Sequence, residues 1–139
     1  KFFDLKESKF NENKKETTQR IVSIINKINP TKIFLHSIND PHPDHNNVNK
    51  IVLGAIDSMK YKGDVYSFDV WNVLSFKNTN KPRLVVNISD TFKIKSEALK
   101  CFKSQGLSLL LLLPFIYTKN FIEGFKNHIR FAEVFQKVR

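Results

Sequence analysis

The chain has 139 residues, 41% hydrophobic and 26% charged, which is enough apolar surface to bury one core and too much for a disordered tail. A single cysteine, Cys101, excludes a disulfide framework and a Cys-rich zinc module. The longest apolar run, Leu107 to Ile116, is interrupted by Ser108 and Pro114 and is too short to span a bilayer as a helix.

The net charge of +10 comes from 23 Lys and Arg against 13 Asp and Glu. Most of the basic residues are dispersed lysines, with arginine only at positions 20, 83, 130 and 139. A nucleic-acid surface needs a contiguous positive stripe interleaved with aromatics. The charge therefore reads as a Lys, Asn and Ile bias giving a basic surface, and nucleic acid is the less favoured partner. The first residue is Lys1 rather than Met, so the chain is expected to be a piece of a longer product, and its expected location is cytoplasmic.

In chain order, Lys1 to Thr18 is polar and reads as a loop or linker, with Lys14, Lys15 and Glu16 as a solvated face. From Thr17, Ile21, Ile24, Ile25 and Ile28 recur at helical spacing, and Pro30 marks the stop. Lys32 to His36 is a short apolar run that predicts a buried, internal, parallel strand. Ser37 to Asn47 is a loop rich in Asn, Asp and Pro. Val48, Ile51, Val52, Ala55, Ile56 and Met59 then define an amphipathic helix ending before Gly63.

Val65 to Phe76 alternates and predicts a strand bent near Asn72, and Leu84 to Ile88 predicts another after Pro82. Ser89 or Asp90 should cap a helix carrying Phe92, Ala98, Leu99 and Phe102. Leu107 to Ile116 fits a buried helix or a strand; a buried element is favoured over a dimer contact, and that over a membrane-facing patch. The last segment places Phe121, Phe125, Ala132 and Phe135 on one helical face, with Lys126 and Glu133 outward. This order of elements predicts an α/β sheet covered by helices, in one domain.

The chemistry is concentrated in Asp40-Pro41-His42-Pro43-Asp44-His45, at the carboxyl end of the Ile33 to Leu35 strand and the start of the next helix. Open α/β sheets bind ligands at that edge. The two prolines stiffen the loop by fixing φ. A neutral imidazole can ligate zinc, an Asp can ligate or orient a His, and a second His can stabilise negative charge on a carbonyl oxygen. The plainer reading makes these residues turn and capping groups, with Asp44 or Asn46 as the helix N-cap. A catalytic zinc takes three protein ligands, so at least one more would have to come from elsewhere.

Phe34-Leu35-His36-Ser37, followed by that loop and an apolar helix, resembles the second signature of the PIG-L/LmbE family of zinc-dependent N-acetylglucosaminyl deacetylases. Arg83 to Ile88, Ser89-Asp90, Lys103-Ser104-Gln105 and Phe131 to Phe135 resemble the family's carboxyl-terminal half in order, from about Gln19 onwards. The resemblance implies a Rossmann-like, partly parallel sheet flanked by helices, and a hydrolase removing an N-acetyl group from an amino sugar. It assigns His45 as a zinc ligand, His42 as the residue that stabilises the oxyanion or protonates the leaving amine, and Asp44 as the group that orients His42. One zinc ion is implied, polarising the acetyl carbonyl and activating water for a general base.

The family's other signature, a His-Pro-Asp-Asp-Glu run supplying two ligands and the base, is absent from this sequence. The first strands and the remaining ligands are therefore expected outside it. Among other candidates, His36 reads as a packing or hydrogen-bonding residue and His128 as core or interface. Cys101 reads as a small buried hydrophobe, and Trp71 and Tyr66 read as strand core rather than sugar platforms. A homo-oligomer is possible. The alternatives are a metal-free binding or assembly piece of the same topology and, further down, a basic nucleic-acid-binding domain.

Overall fold

The computed structural model describes residues 3, 13–70, 82–102 and 106–139, with the side chains of 106–110 left aside. The chain divides into two compact units. The first holds α1 (Lys14–Ile28), β1 (Lys32–His36), α2 (Pro43–Ser58), β2 (Asp64–Phe68) and the end of the chain from Gln136. The second holds β3 (Arg83–Asn87), α3 (Phe92–Lys100), α4 (Gly106–Lys126) and β4 (Ala132–Lys137) up to Phe135.

Helix α1 begins at Lys14, inside the stretch expected to be loop, because Thr17 is buried and Thr18 Oγ1 donates to the Lys14 carbonyl at 2.8 Å. Polar residues on the exposed side of a first turn look like linker in sequence. The helix ends at Asn29, whose left-handed φ of 47° lets its N–H reach the Ile25 carbonyl, with Pro30 next. Strand β1, helix α2 and strand β2 form a βαβ unit in which β1 and β2 are parallel, in register from Lys32↔Asp64 to His36↔Phe68. The core of this unit is Ile25, Leu35, Ile56 and Val65, flanked by Ile21, Ile33, Val52, Leu53, Met59, Tyr61 and Val138. Ile51, Ala55 and Ile56 are the buried members of the periodic set on α2, as the spacing predicts.

The strand order is β1-β2-β4-β3, a mixed, partly parallel sheet with helices against it. The expectation that β1 is internal fails among the described residues. The end of β4 pairs antiparallel with β2 through Tyr66↔Lys137 and Ser67↔Gln136 and takes the place on the far side of β2, leaving β1 outermost. Phe34 is accordingly 44% exposed. β2 ends at Phe68, and the rest of the expected strand from Trp71 to Phe76, with its bend near Asn72, lies outside the described residues.

In the second unit the N-cap of α3 is Thr91, not Ser89 or Asp90. The Ser89 hydroxyl is used elsewhere: it donates to Asn87 Oδ1 at 2.7 Å and accepts the Phe131 N–H at 3.2 Å. None of the apolar residues of α3 is buried, although the Phe92 ring stacks on Phe131 at 4.0 Å. The leucine run is helical, but it is not a buried element where its side chains are described: Leu111 is 65% exposed, and Phe115 is also exposed. No helix among the described residues is long and apolar enough to cross a membrane.

The expected closing helix through Phe135 is instead the end of α4, a turn and β4. The Gly124 carbonyl accepts the N–H groups of Asn127 and Ile129, and His128 adopts φ 57°. A helix does not continue through a left-handed residue. His128 is therefore exposed in a turn rather than packed in the core of this chain, and Cys101 is exposed rather than buried.

Candidate functional site

The site is built at the carboxyl end of β1. The Ser37 N–H donates to the Phe68 carbonyl at 2.8 Å, continuing the β1–β2 pairing one residue past the strand. The chain then turns: the Asp40 N–H donates to the Ser37 carbonyl and the Asn39 N–H to Ser37 Oγ, both at 3.2 Å. His42, not Asp44 or Asn46, is the N-cap of α2, with Pro43 at the first helical position where its missing N–H costs nothing. Asn46 Nδ2 instead donates back to the carbonyls of Asp40 at 2.6 Å and His42 at 3.1 Å. Buried Asn49 on α2 donates from Nδ2 to the His36 carbonyl at 2.7 Å, tying helix to strand end.

Asp40 organises the loop. Its carboxylate is fully buried; Oδ1 accepts the His42 N–H at 3.0 Å and Oδ2 accepts the Val70 N–H at 2.9 Å. His45 Nδ1 lies 2.9 Å from Asp40 Oδ1, yet this buried nitrogen has no well-formed hydrogen bond, so the contact is close in distance and off the line of the ring N–H. The contact is electrostatic, and a carboxylate oxygen beside Nδ1 favours a proton on that nitrogen over a lone pair.

His42 takes the complementary tautomer. Its Nδ1 accepts the Asp44 N–H at 3.2 Å, which puts the proton of the neutral ring on Nε2, where it can be donated. Asp44 is buried in the first turn of α2 and orients His42 through its main chain.

The three imidazoles of the loop and strand end are in contact. His45 stacks on His36 at 4.1 Å and on His42 at 4.7 Å between ring centroids, and His36 also leans on Phe68 at 5.0 Å. Burial pushes the His36 imidazole below its ordinary value; neighbouring His45 adds to the shift, Asp40 opposes it and His42 adds to it. His36 is thus held neutral as a packing partner of His45.

Among the described residues no group of three or more His, Cys, Asp or Glu is placed to hold a metal ion. The donors fit zinc in part: His45 offers one imidazole, and a complete set needs ligands from elsewhere.

The sequence groups Asp40 with His42, Asp44 and His45 in one loop but assigns it no role of its own, and it does not point to Asn49. For Asp40 a signal was present, an Asp two residues before a backbone N–H in a Pro-rich turn, the pattern of an Asx-turn. Tyr66 is buried, stacks on Phe34 and donates its hydroxyl to Asp64 at the start of β2, the strand end away from the histidine loop.

Residues 1–56 match the family described as PIG-L: GlcNAc-PI de-N-acetylase, a stretch that includes the histidine loop and also the polar segment read as linker. Solved structures share the fold at low identity. Teicoplanin deacetylase Orf2, in a zinc inhibited form, matches with a TM-score of 0.70 at 17% identity over 99% of this chain and 55% of that one. The conserved protein TT1542 from Thermus thermophilus gives 0.67 at 15% identity, over 89% and 58%. The N,N'-diacetylchitobiose deacetylase from Pyrococcus horikoshii gives 0.63 at 20% identity, over 88% and 51%. The family match thus covers the amino-terminal part of the chain, these solved structures share its fold, and the chain spans just over half of their length.

Proposed function

We propose that this chain contributes the histidine loop of a zinc-dependent hydrolase that removes an N-acetyl group from an amino sugar. The observation that carries this reading is the stacking of His42 and His45 on one loop, with His42 Nδ1 taken by the Asp44 N–H, which leaves its Nε2 as the donor, and His45 Nδ1 turned to the Asp40 carboxylate, which leaves its Nε2 outward of that contact. That pairing suits a site that binds a metal beside a developing oxyanion. The family match and the deacetylases named among the structural neighbours support the same direction.

In this reading His45 is one zinc ligand, and the other ligands and the general base come from residues beyond those described. Bound zinc supplies a Lewis acid toward the acetyl carbonyl. His42 donates from Nε2 to the negative charge that develops on the carbonyl oxygen or, later, to the departing amine. Asp44 holds the His42 ring by its N–H, and Asp40 fixes the loop that carries both imidazoles. The substrate is an N-acetylglucosamine-type sugar.

The test is zinc content of the full-length protein by elemental analysis together with acetate release from N-acetylglucosamine conjugates. About one zinc per chain and chelator-sensitive acetate release support the reading; a metal-free protein that releases none overturns it. The second reading is a metal-free binding piece of the same topology. It predicts sugar binding that a chelator does not affect.

A further inference from the structure

Asp69 follows the last residue of β2, and both of its chain neighbours are engaged with the histidine loop. On one side, the Phe68 carbonyl accepts the Ser37 N–H at 2.8 Å and the Phe68 ring leans on His36 at 5.0 Å. On the other, the Val70 N–H donates to Asp40 Oδ2 at 2.9 Å. Asp69 is therefore held at the carboxyl edge of the parallel β1–β2 pair, where α/β sheets bind ligands.

Its own carboxylate is not used by these contacts. Oδ1 of Asp69 is shielded from solvent and meets no hydrogen-bond donor. A shielded carboxylate oxygen without a donor is costly, and folded proteins keep few of them, chiefly where something else completes the bonding. Buried Asp40, one strand away, shows the contrast: both of its oxygens accept backbone N–H groups.

We propose that Asp69 is a substrate-binding residue whose carboxylate accepts a hydrogen bond from a ring hydroxyl of the amino sugar. The inference rests on the reading of the site given above and adds a residue to it. A carboxylate only accepts, so the ligand group must be a donor. A phosphate or carboxylate of the ligand would meet a like charge there, which places the neutral polyhydroxylated ring, rather than any anionic part of the substrate, beside β2. The role is binding and discrimination, not bond making.

The test uses the intact protein with Asp69→Asn and Asp69→Ala, an N-acetylglucosamine conjugate and its 3-, 4- and 6-deoxy analogues. Loss of one hydrogen bond to a carboxylate should raise KM about tenfold or more, with a smaller change in kcat. One deoxy analogue should show that penalty with the unsubstituted protein and no further penalty with Asp69→Ala. Thermal stability of the variants should be unchanged or higher, since the oxygen loses no donor in the free protein. An unchanged KM in an active protein, a penalty equal for all analogues, or a fall in stability that tracks the lost activity would each overturn the assignment. If the unsubstituted protein releases no acetate, the deacetylase reading fails separately. Titration calorimetry with N-acetylglucosamine then decides: binding lost in Asp69→Ala upholds the residue's role, and equal or absent binding overturns it.

Discussion

Asp40 Oδ2 accepts the N–H of Val70, thirty residues further along the chain, at 2.9 Å, so one buried carboxylate joins the β1–α2 loop to the residue pair that follows β2. The same carboxylate caps the His42 N–H and lies against His45. Two loops at the carboxyl edge of a parallel strand pair are thereby fixed by a single side chain, which is how a short loop can hold imidazoles in defined positions.

Replacing that carboxylate should be expensive. Asp40→Ala leaves the N–H groups of His42 and Val70 without their acceptor; both bonds are part-buried and both residues lie at the surface, so each loss should cost about 1 kcal/mol. Asp40→Asn restores one acceptor but turns an NH2 toward the other N–H, so it should recover only part. Urea unfolding of the two variants checks this; a loss below about 0.5 kcal/mol for Asp40→Ala would show that the loop does not depend on the clamp.

His42 serves the helix as well as the proposed chemistry, and the two roles separate by substitution. His42→Ala removes the acceptor for the Asp44 N–H and should cost about 1 kcal/mol as a lost N-cap. His42→Asn supplies an excellent N-cap acceptor and should restore that stability while leaving turnover as low as in His42→Ala. Both should retain zinc, whereas His45→Ala should lose it. Recovery of activity in His42→Asn would mean that the residue acts by capping alone.

The histidine loop was legible in sequence because its chemistry is local: six consecutive residues, two prolines and a following periodic helix. Helix α2 was legible because Ile51, Ala55 and Ile56 bury one face, and tertiary packing agrees with the local pattern. What escaped depended on distant partners. The antiparallel pairing of Gln136 and Lys137 with β2 joins segments about seventy residues apart, which nothing near β2 announces. The end of α4 was hidden because Phe121, Phe125, Ala132 and Phe135 keep a helical spacing by coincidence across a turn. The signal was Gly124, where a Cβ would stand 2.6 Å from the Arg130 carbonyl oxygen as the chain folds back. The Asp40 to Val70 bond spans two segments whose proximity follows only from the parallel pairing.

Two glycines should respond in opposite directions to the same substitution. Gly54 is exposed within α2, has no atom within 4 Å of a built Cβ, and does not have positive φ, so Gly54→Ala should stabilise by about 0.5–1 kcal/mol. At Gly63 a Cβ would collide with the Tyr61 ring and stand 2.7 Å from the Thr31 carbonyl oxygen. Gly63→Ala must break the bond by which the Tyr61 hydroxyl donates to the Pro30 carbonyl at 2.7 Å, and should destabilise. Thermal melts of the two variants decide, and a shift of the same sign in both would contradict this packing.

Asp64 and Lys137 link the start of β2 to the end of β4 at 2.6 Å, with the Tyr66 hydroxyl also donating to Asp64. The bond from Lys137 holds the Asp64 carboxyl below its ordinary 3.8; partial burial opposes this, and the Lys137 charge, Tyr66 and Lys32 support it. The Asp64 bond and charge hold Lys137 above its ordinary 10.5. A depressed carboxyl contributes stability that is present above the unfolded value and is lost as pH falls through the folded one. A raised ammonium contributes stability that is present below its unfolded value and is lost as pH rises through the folded one. The pair should therefore support the fold between roughly pH 4 and 10 and fade outside that window. Both side chains are more than one third exposed, so the contribution is modest and should shrink in salt. Asp64→Asn should flatten the acid limb of stability measured from pH 7 down to 2, and Lys137→Met should flatten both limbs. An acid limb of unchanged slope in Asp64→Asn at low salt would show that the pair does not couple folding to pH.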